Sequence, residues 1–66
     1  MPRSTREWAR RKLEESVQNI DWAGSHIYGV VEKYQELHPE VSEPLKAVLK
    51  IFEECQNMIT LIRSSF

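Results

Sequence analysis

One cysteine in 66 residues rules out an internal disulfide, and two histidines leave little with which to hold a metal. His26 and His38 have no ligand-type residue three or four positions further on, whereas a zinc site needs three or four convergent ligands. Two glycines, Gly24 and Gly29, make no phosphate-cradling loop. No apolar run nears the roughly 18 residues of a membrane span, and no apolar segment follows the positive N-terminus as in a secretory leader. These absences point to a reduced, cytoplasmic setting with no cofactor or metal. A chain this short also buries only about 60% of its unfolded surface, so without disulfide or metal it must rely on regular packing or association.

What the chain has is two apolar stripes at helical spacing. Leu13, Val17, Ile20, Gly24, Ile27, Val31, Tyr34 and His38 form the first; Val41, Leu45, Val48, Phe52, Cys55, Ile59, Ile62 and Phe66 form the second. Alternating steps of three and four keep one face of a helix against a neighbour. Ala9, Ala23, Val30 and Leu37 widen the first stripe, and Ile51 and Met58 the second. Stripes this broad suit a globular bundle more than a two-stranded coiled coil. The expectation is an all-α, single-domain antiparallel hairpin, with helices at about 4–38 and 42–65, completed as a bundle by self-association or a partner.

Local signals set the expected ends. Ser4 and Glu7 have capping-box spacing, His38 precedes Pro39 and should leave the helix, and Ser42 or Glu43 can cap a second helix with Pro44 in its first turn. A turn near residue 40 places Val17 beside Phe66 and leaves the segment before Leu13 overhanging by about ten positions, ~15 Å. Phe66 falls on the second stripe, which favours a chain cut mid-helix from a longer protein. Trp22 lies opposite the first stripe with Trp8 and Gly29, and an exposed Trp there marks a surface for another helix or ligand. The alternative is a break near Asn19–Gly24, which would turn Trp22 inward and make a three-helix monomer.

Charge is unevenly spread. Residues 1–12 carry Arg3, Arg6, Arg10, Arg11 and Lys12 against Glu7 alone, while the remainder has four basic residues against nine acids. The basic end could meet an acidic partner or, with Trp8 to stack, nucleic acid. Against nucleic acid, Glu7, Glu14 and Glu15 are spaced to pair Arg10 and Arg11, and the pI of about 6.1 is far from basic. Membrane contact has only Trp8, Ala9 and Leu13 to support it. Cys55 sits between Phe52 and Ile59 on its stripe, so an inert core thiol is expected rather than a nucleophile. Glu14-Glu15 and Glu53-Glu54 are sequence neighbours, not a convergent acid pair, and no catalysis is expected.

The stretch from Tyr28 to Phe52, a helix, then His38-Pro39-Glu40, then a helix with Leu45, Lys46 and Phe52, resembles the N-terminal helical regions of fungal NACHT-type (STAND) signalling proteins. There a similar turn joins two amphipathic helices ahead of a nucleotide-binding domain. The resemblance covers about a third of the chain, departs at Pro44, and no nucleotide-binding motif follows. It implies an N-terminal interaction or signalling domain. The expected function is therefore protein–protein interaction or oligomerisation, with this chain itself or another helical protein as partner. Phe52, Ile59, Ile51, Met58, Trp8, Trp22, Arg10 and Arg11 are its candidate contacts; the alternative is a dimeric hairpin that binds RNA.

Overall fold

The computed structural model describes residues 3–66, with the side chains of Arg3 and Ser4 left aside. Helix α1 spans Arg3–Tyr34 and helix α2 spans Pro39–Arg63; among the described residues there is no strand. The two pack antiparallel into a hairpin 53 Å long. α1 is unbroken through Asn19–Gly24, so the three-helix alternative does not form. The expected capping box depends on the Ser4 side chain, which lies outside the described residues.

The connection differs from the expected one, and proline is the reason. α1 ends at Tyr34, four residues early, although the chain stays wound through bonds from Gln35 N–H to the Val31 carbonyl (2.9 Å) and from His38 N–H to the Tyr34 carbonyl (2.7 Å). His38 then leaves the helical region at φ −142°, ψ 75°, because the ring of Pro39 disfavours α geometry before it. Pro39 opens α2, a position whose amide has no intrahelical acceptor. The His38 carbonyl accepts from both Val41 and Ser42 N–H, at 2.9 and 3.2 Å.

Neither Ser42 nor Glu43 is therefore a cap. Ser42 lies inside the first turn, 1% exposed, with its hydroxyl donating to the Pro39 carbonyl at 3.3 Å. Pro44 falls in the helix interior and offers no N–H to the Glu40 carbonyl one turn back.

The turn, at residues 35–38 rather than near residue 40, shifts the register. Val17 faces Gln56, not Phe66: Gln56 Nε2 donates to the Val17 carbonyl at 2.9 Å and to Asp21 Oδ1 at 3.0 Å. Arg63 Nη1 pairs with Glu14 Oε1 at 3.2 Å, so α2 ends level with Glu14. The basic segment before about Leu13 overhangs, as its length required.

Packing along α1 follows the expected stripe as far as Val31, while Tyr34 and His38 at its end are exposed. Leu13, Val17, Ile20, Gly24 and Ile27 are half-buried and Val31 is 3% exposed. On α2 the residues turned toward α1 are Ser42, Leu45, Leu49, Phe52, Gln56, Ile59 and Arg63. This set shares Leu45, Phe52 and Ile59 with the expected stripe, and Val48 is half-buried beside Leu49, but Val41, Cys55 and Ile62 are exposed and their neighbours one position on face α1 instead. α2 is thus rotated so that the centre of its apolar arc points partly away from α1.

Candidate interaction surface

The rotation of α2 gives the hairpin two unlike edges. Along one edge the helices are tied by polar groups, the Glu14–Arg63 ion pair and the Gln56–Asp21 bond. The same edge continues as a shallow groove lined by Tyr28, Lys46, Leu49 and Glu53. Because the helices are antiparallel, the flank of α1 opposite Glu14, Asp21 and Tyr28 shares the other edge with the flank of α2 opposite Lys46, Glu53 and Thr60.

That other edge is apolar. α1 contributes Ala9, Ala23 and Val30, with Ser16 in the same row, and the connection contributes Leu37; α2 contributes Val41, Val48, Cys55 and Ile62, with Ile51 and Met58 next to them. Val30, Leu37, Val41, Ile51, Met58 and Ile62 are all exposed, Met58 at 64%. Single exposed apolar side chains are ordinary, whereas a contiguous set along one edge marks a contact surface.

The expected contact residues separate into four places. Ile51 and Met58 lie on the open apolar edge. Phe52 and Ile59 are half-buried on the face toward α1, Phe52 packing near Gly24, and so belong mainly to the hairpin's own core. Trp8 and Trp22 are exposed on the outer face of α1, Trp22 with its ring 6.2 Å from that of His26.

Arg10 and Arg11 are exposed on the overhang and share a shallow depression with Glu7, Glu14 and Arg63. Glu14 and Glu15 do not pair them as their spacing allowed. Glu14 is taken by Arg63 and Glu15 by Lys12 (3.2 Å), and among the described residues no ion pair engages Arg6, Arg10 or Arg11.

Cys55 is a correction. Its place on the stripe predicted a core thiol, but it is exposed, because α1 packs on the Phe52–Gln56–Ile59 side of α2 and leaves Cys55 on the open edge. Sequence reasoning also missed Gln56 and Arg63, polar residues in phase with Leu45, Leu49, Phe52 and Ile59. Their steps of three and four were visible, but an apolar count passes over them.

No group of three or more His, Cys, Asp and Glu that could hold a metal occurs among the described residues, and no helix there is long and apolar enough to cross a membrane. The fold and surface define a two-helix antiparallel hairpin with one polar and one apolar edge. No family model, no curated protein and no solved structure matches the chain.

Proposed function

We propose that this chain is a non-enzymatic protein–protein interaction module that completes a helical bundle by covering its apolar edge. The observation that supports this is the rotation of α2. Half of its apolar stripe, Leu45, Val48, Phe52 and Ile59, is half-buried, while Val41, Cys55 and Ile62 remain exposed beside Ile51 and Met58. A helix whose apolar arc is wider than its contact has a second neighbour to accommodate. The likeness of the His38-Pro39-Glu40 hairpin to NACHT-type N-terminal regions agrees with such a role in signalling.

Solution mass across a dilution series tests the reading. An assembly larger than the monomer at micromolar concentration is expected, dissociating on dilution together with loss of helicity or stability. A monomer at high micromolar concentration that unfolds cooperatively would overturn it.

The overhang carries a second reading. Arg6, Arg10 and Arg11 stand without ion-pair partners among the described residues beside an exposed Trp8, an arrangement open to RNA phosphate and base stacking. It predicts RNA affinity that falls steeply with added salt.

A further inference from the structure

From the apolar edge and the charge distribution together, we infer that the edge is covered by a second copy of this chain lying antiparallel to the first, with the basic overhang of each copy beside the acidic turn of the other. This rests on the association reading above and specifies its partner and geometry. Two observations carry it independently. The first is the symmetry of the α2 edge about Ile51. Val41 and Ile62, Pro44 and Met58, and Val48 and Cys55 lie at nearly equal distances on either side of it. A twofold axis crossing the hairpin there brings apolar residues against apolar residues along the whole edge, as a self-complementary contact requires.

The second is charge. Ile51 is level with Gly24, since the Gly24 position lies 3.7 Å from Leu49 and 3.9 Å from Phe52. Arg10–Lys12 then lie about 18–21 Å from the axis at one end, and Glu36 and Glu40 about 16–18 Å from it at the other. The axis that overlays the apolar edges thus also brings the overhang of one copy level with the turn of its partner, with Lys12 in row with Ala23 and Val30 on the covered flank and Arg10 on the opposite flank beside Glu14 and Arg63. Residues 32–43 carry Glu32, Glu36, Glu40 and Glu43 against Lys33; Glu43 is paired with Lys46 and Glu40 contacts His38, both at 3.0 Å, and the balance stays opposite in sign to the overhang. A parallel pair would instead gather both basic overhangs at one end, which like-charge repulsion disfavours.

A charge exchange on the full chain tests orientation. Arg11→Glu with Lys12→Glu should weaken self-association about ten-fold or more while leaving helicity intact, and Glu36→Lys with Glu40→Lys should do the same. Mixed, the two variants should form a heterodimer at the wild-type affinity, since both of its ends then pair opposite charges. Cys55 gives a second readout. In the antiparallel pair the two Cys55 Cα atoms are separated by about 12 Å along the axis, beyond the ~7 Å limit for a disulfide, so mild oxidation should yield no covalent dimer. Failure of the variants to pair, or rapid Cys55 cross-linking of a wild-type dimer, overturns the antiparallel arrangement while leaving association intact. A wild-type chain that is monomeric at high micromolar concentration overturns the association reading as well, and a wild-type dimer whose affinity ignores the charge variants while RNA binding is lost assigns the overhang to nucleic acid.

Discussion

Gly29 lies on the outer face of α1, and a Cβ built there meets nothing within 4 Å. A helix-interior glycine costs about 1 kcal/mol relative to alanine through the greater freedom of the unfolded chain. Gly29→Ala should therefore stabilise the protein by about 1 kcal/mol, raising the thermal midpoint by roughly 4–8 °C for a domain of this size. A midpoint that stays put or falls under thermal melting at fixed protein concentration would show that Gly29 meets something in the assembled state. Gly24 is different in kind: a side chain there would touch Leu49 and Phe52 at ordinary contact distances, so its gain in helix propensity is accompanied by a change in inter-helix packing.

Between the helices, Gln56 is the group that fixes α2 along α1. Its amide donates both to the Val17 carbonyl and to Asp21, a pairing that a slip of one turn along α1 would break. Gln56→Ala should cost about 1 kcal/mol, the usual net value of such bonds, measured as a shift of the urea midpoint without a change in slope. An unchanged midpoint would mean that apolar packing alone holds the register.

The hairpin itself was legible in the sequence. The α1 stripe predicted the face that packs, and the uninterrupted periodicity through Trp22 predicted a continuous helix. The register and the orientation of α2 were not legible. They depend on where Pro39 starts the helix and on Gln56 and Arg63, whose hydrogen bonds and ion pair to α1 hydropathy does not record. Cys55 follows the same logic: it lies on the apolar stripe, but the rotation of α2 leaves it exposed rather than facing α1.

For the whole molecule, exposure of Cys55 on the apolar edge turns the thiol into a reporter of association. In the dissociated hairpin Cys55 is accessible and should react with a thiol reagent at a rate close to that of the denatured chain. As concentration rises and the edge becomes covered, the rate should fall several-fold in parallel with the assembled fraction, because only the dissociated species reacts. A native rate that is fast and independent of concentration would place the contact elsewhere on the molecule.

The unequal burial along the hairpin also bears on the order in which it opens. Val31 and Ser42, the most buried residues, flank the turn, where partners are close in sequence and the loop between them is short to close. Glu14 and Arg63 meet only after nearly the whole chain between them has been brought back on itself, and their ion pair is largely exposed. Closing longer loops costs more entropy, and thinly packed ends open at the smallest free energy. The expected order is therefore closure from the turn outward and fraying from the open end inward, read as slower amide exchange beside Val31 than beside Glu14.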